Sequence, residues 1–130
     1  MAVEIENRDR RRRVMVVDDE PAIVELIAMV LEEEDWEIVR AYDGAQAWSL
    51  LQARPVDLLL SDIMMPRVNG LELLRLVRTS PRHGSLPVIL TSAVNQVDAS
   101  DIVFLAKPFD LDTLIALVER CLTPARARQD

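Results

Sequence analysis

Four short, largely apolar runs recur along the chain, and each one stops at polar residues. Val14 to Val17 ends at Asp18-Asp19, Val56 to Leu60 at Ser61-Asp62, Pro87 to Leu90 at Thr91-Ser92, and Ile102 to Ala106 at Lys107-Pro108. Runs of four or five residues with little polar alternation read as strands buried on both faces. Glu37 to Tyr42 also has strand character and is closed by the turn pair Asp43-Gly44.

Helical spacing fills the intervals. Pro21 suits a first helical turn, with Ile23, Ile27, Val30 and Leu31 on an inner stripe and Glu25, Glu32 and Glu33 on the other side. Ala45 to Ala53 reads as a second helix carrying Trp48, and Leu71 to Val77 as a third, ended by Ser80-Pro81. Asp110 can cap a last helix whose inner stripe is Leu111, Leu114, Ile115, Val118 and Leu122.

Strand and helix alternating in this way predict an α/β fold: a five-stranded parallel sheet with right-handed crossovers and helices on both faces. Asp18, Asp19, Asp62, Ser92 and Lys107 then all fall at the carboxyl edge of one sheet. In the strand order 2-1-3-4-5, strands 1 and 3 meet at the topological switch, where open α/β sheets bind ligands.

The length of 130 residues and a 50% hydrophobic content suit one domain with one core. We expect it over residues 13–123, between a basic tail at 1–12 and a short tail at 124–130. A net charge of -7 argues against a nucleic-acid surface. The run Arg8, Arg10, Arg11, Arg12 and Arg13 is the exception, and a solvated role is expected for it. Glu4 and Glu6 stand where a signal peptide would be basic and then apolar, and no later run is long enough to span a bilayer. With Cys121 as the single cysteine, a cytoplasmic protein without membrane contact is expected.

Three carboxylates held at one edge repel one another unless they protonate or share a cation. Mg2+ suits such a set, because it takes oxygen ligands and can bridge a carboxylate to a phosphoryl group; Mn2+ is an alternative. A carboxylate is also a competent nucleophile for phosphoryl transfer, giving an acyl phosphate. Lys107 would supply a fixed cation for the phosphoryl oxygens, and Ser92 or Thr91 a hydroxyl.

The segments VMVVDDEP (Val14 to Pro21), LLLSDIMMPRVNG (Leu58 to Gly70), LPVILTSA (Leu86 to Ala93) and FLAKPF (Phe104 to Phe109) resemble the receiver domain of two-component response regulators, a flavodoxin-like fold of the CheY-like superfamily. The resemblance covers about Arg13 to Leu122. By position, it implies Asp62 as phosphoacceptor, Asp19 and Asp62 as direct metal ligands with the backbone carbonyl of Met64, and Asp18 acting through metal-bound water. It also implies Lys107 as the family lysine, Ser92 rather than Thr91 as the switch hydroxyl, and Phe104 as the aromatic that follows phosphorylation. The implied donor is a histidine kinase or a histidine phosphotransfer protein, and a downstream protein would read the result. Such a chain is a signalling domain that catalyses transfer onto itself rather than an enzyme in the usual sense. His83, between Arg82 and Gly84, is expected to be a solvated surface residue, and Trp36 and Trp48 to cover core.

Two departures from the family pattern stand out. Ser92 and Lys107 are only 15 positions apart (107 minus 92), which leaves about Ala93 to Asp101 for a crossover that normally takes a dozen or more residues. The family's fourth helix should therefore be short or missing, and with it the usual output surface. Met64 and Val94, two residues beyond Asp62 and Ser92, are apolar and unsuited to orienting an attacking water, so slow self-dephosphorylation is expected. One rival reading is a receiver-like interaction module that works without phosphorylation. Another is an aspartate-nucleophile phosphatase or nucleotide-binding protein, disfavoured by Met64 and by the lack of a glycine-rich phosphate loop.

Overall fold

The computed structural model describes residues 11–93 and 102–123. In chain order the elements are β1 (Arg13–Val17), α1 (Pro21–Glu32), β2 (Glu37–Ala41), α2 (Gly44–Ala53), β3 (Leu58–Asp62), α3 (Gly70–Thr79), β4 (Val88–Ser92), β5 (Val103–Ala106) and α4 (Leu111–Leu122). The strands form one sheet in the order β2-β1-β3-β4-β5, with every pairing parallel. This is the expected α/β architecture, and β1 and β3 are neighbours at the switch point.

The two faces of the sheet carry separate cores because alternate strand residues point to opposite sides. Val14, Val16, Leu58, Leu60 and Ile89 pack with Val24, Ile27, Ala28 and Leu31 of α1 and with Leu114, Val118 and Leu122 of α4. Met15, Val17, Leu59, Val88 and Leu90 pack instead with Ala47 and Leu51 of α2 and Leu73 and Val77 of α3. A buried leucine such as Leu59 or Leu60 on β3 is covered on its own face, and truncating it to alanine would cost roughly 2–5 kcal/mol. The inner stripe of α1 is thus Val24, Ile27, Ala28 and Leu31; it keeps Ile27 and Leu31 of the expected set and leaves the other two, Ile23 and Val30, half-buried.

Side-chain caps fix where three helices begin. Asp43 accepts a hydrogen bond from the Gln46 N–H, and Asp110 from the Thr113 N–H. Asn69 and Glu72 form a reciprocal capping box on α3, and each such cap contributes about 1 kcal/mol. Pro21 occupies the first turn of α1 as expected.

Three expectations meet particular outcomes. His83 is buried, not solvated: its Nδ1 lies 3.0 Å from the Ser80 hydroxyl, and its ring meets Trp48 edge-on at 5.9 Å between centroids. A local partner and an aromatic wall make burial affordable in a segment that reads as polar. Arg11, Arg12 and Arg13 pair with Asp35, Asp57 and Glu37, so these arginines are engaged with acids of the domain itself. The short or missing helix expected between β4 and β5 falls on 94–101 and lies outside the described residues, as do Val94, Arg8 and Arg10. Among the described residues, no helix is long and apolar enough to cross a membrane.

Candidate functional site

Strands β3 and β4 run further into their polar ends than apolar patterning indicates, and this extension helps to build the site. Asp62 is the last residue of β3 and lies opposite Thr91 in the ladder, while the Ile63 N–H donates to the Thr91 carbonyl at 2.9 Å. Asp62 is therefore held in the sheet, between β1 and β4, with only 6% of its surface exposed. Asp18 follows β1 directly; its N–H donates to the Ala41 carbonyl at 3.3 Å, and its side chain is buried. Asp19, one residue on, is exposed.

One oxygen from each of Asp18, Asp19 and Asp62 lies within 4.8 Å of the other two. Lys107 enters from the end of β5, where its N–H donates to the Ser92 carbonyl at 2.8 Å. Its ammonium donates to Asp18 Oδ2 at 3.0 Å and stands 3.4 Å from Asp62 Oδ1. The other oxygen of Asp18 accepts from the Glu20 N–H at 2.9 Å. Both Asp18 oxygens are thus occupied by donors from the chain itself.

Burial pushes the Asp62 carboxyl above its ordinary range; Lys107 draws it back down, and Asp18 and Asp19 push it up further. Burial pulls Lys107 down, but the hydrogen bond and charge of Asp18, joined by Asp62, prevail and hold the ammonium above its usual value. At neutral pH the cation is secure. Three carboxyl groups thus face one ammonium at the edge of a low-dielectric sheet, an excess of acids that one cation does not balance.

A cleft of about 420 Å3 opens over these groups, lined by Asp19, Glu20, Asp62, Met64, Ala93 and Lys107. Strand-like alternation continues past β3, burying Ile63 and Met65 and turning Met64 outward with 60% of its surface exposed. Ser92 closes β4 and is fully buried; two residues beyond Leu90, it shares the α2/α3 side of the sheet. Phe104 lies opposite Leu90 and is half-buried in the same core, so Ser92 and Phe104 are on one side. Thr91 points to the opposite side.

Gly70 is a site feature that apolar patterning does not single out. Its N–H donates to the Ile63 carbonyl at 2.9 Å, and the backbone of Asp62 and Ile63 packs against its Cα hydrogens. The Asn-Gly-Leu-Glu spacing at 69–72, a capping box, is the signal that marks this junction.

The fold and the site together are those of a parallel α/β protein with two buried acids, Asp18 and Asp62, the exposed Asp19 and one lysine gathered at the β1/β3 switch. Residues 14–119 match the family model for the response regulator receiver domain. The chain belongs to that family. It is 37% identical over 122 residues to the response regulator GtcR of Aneurinibacillus migulanus, a match covering 88% of this chain and 49% of GtcR. Among solved structures, the chemotaxis protein CheY4 of Vibrio cholerae superposes with a TM-score of 0.81 at 25% identity, covering 87% of this chain and all of that one (100%). The receiver domain of the Francisella response regulator 1452 gives 0.77 at 31% identity, covering 86% of this chain and 97% of that one. The chain spans about half the length of the first curated relatives it matches, 49% of one and 54% of another.

Proposed function

We propose that this chain receives a phosphoryl group on Asp62 from the phosphohistidine of a histidine kinase or histidine phosphotransfer protein, and signals through a protein partner that distinguishes the two states. In the transfer, an Asp62 carboxylate oxygen forms a bond to phosphorus as the bond from phosphorus to the donor's imidazole nitrogen breaks. The observation that carries this reading is the reach of Lys107 to both Asp18 and Asp62. That ammonium stands where a phosphoryl oxygen on Asp62 would need a counter-charge, fixed in advance and half-shielded from water.

The donor set fits Mg2+, with Mn2+ as a substitute: three carboxylates supply hard oxygens within reach of one another, and their excess negative charge matches a divalent ion. Asp19 is exposed at the cleft, and Asp62 offers an oxygen beyond the one near Lys107, so these two would be the direct carboxylate ligands, with the Met64 carbonyl. Asp18 already holds Lys107 and the Glu20 N–H, and would act on the ion through water. Bound there, the ion would screen the acids and the incoming phosphoryl charge.

Ser92, buried at the end of β4, would donate its hydroxyl to the phosphoryl group, and Phe104 on the same side of the sheet would follow that change. Met64, apolar and outward, gives no base for hydrolysis, so the acyl phosphate would persist. A reducing, cytoplasmic setting accords with a domain whose one cysteine, Cys121, is half-buried. Incubating the chain with a small acyl phosphate and Mg2+ tests the proposal: the intact mass should rise by one phosphoryl group, and Asp62→Asn should take up none. An unmodified native chain would favour an interaction module that works without phosphate.

A further inference from the structure

The chain has three glycines, and two of them face the same loop from opposite ends. That loop, Ile63 to Asn69, leaves β3 directly after Asp62 and leads into α3. At Gly44, the first residue of α2, a methyl group would overlap the carbonyl oxygen of Val68 and sit 2.7 Å from its Cγ1. At Gly70, the first residue of α3, it would overlap the carbonyl oxygen of Asp62 and sit 2.8 Å from the Ile63 Cα. Neither glycine has a positive φ, so space rather than conformation requires it. Gly84 differs: a methyl there comes no closer than 3.3 Å to a neighbour.

Hydrogen bonds close the loop between these contacts. The Ile63 carbonyl accepts from the Met65 N–H at 3.1 Å and from the Gly70 N–H at 2.9 Å, while the Ile63 and Met65 side chains anchor in the α2/α3 core. Arg67 is held at φ 64°, a left-handed conformation that a non-glycine residue adopts at a cost of about 1 kcal/mol. The loop is thus fixed at both ends and strained in the middle.

We propose that Gly44 and Gly70 are positioning residues for the acidic site. By letting α2 and α3 close onto Val68 and onto the Asp62–Ile63 peptide, they set the Asp62 carboxylate and the Met64 carbonyl in register with Asp19. This rests on the phosphoacceptor reading above. Gly44 lies outside the cleft, so its effect on chemistry reaches the site only through the loop. Displacing a reacting group by about 1 Å costs on the order of a hundredfold in rate, and a partial shift costs proportionately less.

The test compares Gly44→Ala and Gly70→Ala with Gly84→Ala in the full 130-residue chain. Thermal melts report folding, calorimetric titration with Mg2+ alone reports the ligand set, and uptake from a small acyl phosphate at saturating Mg2+ reports the nucleophile. The first two variants should melt cooperatively, bind Mg2+ about fivefold to tenfold more weakly and be phosphorylated about tenfold more slowly even at saturation. Gly84→Ala should match the native chain within about twofold. Gly44→Ala and Gly70→Ala proteins that fold and also match it in both readouts would overturn the proposal. Should either fail to fold, Val68→Ala carries the test, because it removes the γ carbons packed at Gly44 and adds no overlap. Weakened Mg2+ binding in Val68→Ala supports the proposal, and unchanged binding defeats it. A native chain that takes up no phosphoryl group defeats the site reading itself, whereas normal uptake by the native chain, with both glycine variants matching it in Mg2+ binding and in uptake, defeats the positioning claim alone.

Discussion

Lys107 donates to Asp18 at 3.0 Å across 89 positions of sequence, and this bond ties the end of β5 to the end of β1 over the top of Asp62. It joins strands that do not touch in the sheet, since β3 and β4 lie between them. Removing the ammonium by Lys107→Ala leaves two buried carboxylates without their cation. Phosphoryl uptake should slow by about tenfold or more, the scale expected for one fixed electrostatic group. The measurement is the initial rate of mass gain at saturating Mg2+.

The raised Asp62 carboxyl makes both reactivity and stability depend on pH. Between the ordinary carboxylate value and the raised one, the folded chain keeps a proton that the unfolded chain has released. Stability from this group therefore declines as pH rises through that window. Asp62→Asn should be the more stable protein at neutral pH in metal-free buffer, with the difference vanishing below about pH 4. Urea melts across pH check the sign. Uptake of phosphoryl groups by the native chain should fall as pH drops through the same window, because only the ionised carboxylate attacks.

Divalent ions should reverse that stability ranking. Mg2+ at about a hundred times its dissociation constant adds about 2.7 kcal/mol to a folded state that binds it. The native chain should melt at higher temperature with Mg2+ than with a chelator, and Asp19→Asn should lose most of the gain. An equal shift in both would remove Asp19 from the ligand set.

Met64 bears on how long the signal lasts. Its side chain lines the cleft without a group to orient water, and Met64→Asn supplies one at the same place. Loss of the phosphoryl group from the purified, phosphorylated variant should be about tenfold faster than from the native chain. Matching decay curves would contradict the assignment.

The sheet and its acidic edge were legible in sequence because β1, β3 and β4 are buried on both faces, which leaves apolar runs that stop abruptly at Asp18, Ser61 and Thr91. Hydropathy cannot show that β3 and β4 continue into Asp62 and Ser92, since those residues are held by ladder hydrogen bonds rather than by apolar packing. His83 departs from the sequence-based expectation for a similar reason. Its flanks Arg82 and Gly84 indicate a wet loop, but Trp48 and Ser80 give the ring an apolar wall and a polar partner that only the folded chain brings together. The glycine contacts on Val68 and Asp62 are invisible to any pattern along the chain, because they depend on how closely two helix starts approach one loop.

Asp62 itself is expected to become the acyl phosphate. Borohydride reduction after treatment with a small acyl phosphate and Mg2+ converts a phosphoaspartate to homoserine, and peptide mass spectrometry then locates it. Homoserine is expected at position 62 and at no other aspartate. Reduction at Asp18 or Asp19, or a chain with no reduced residue, would contradict it.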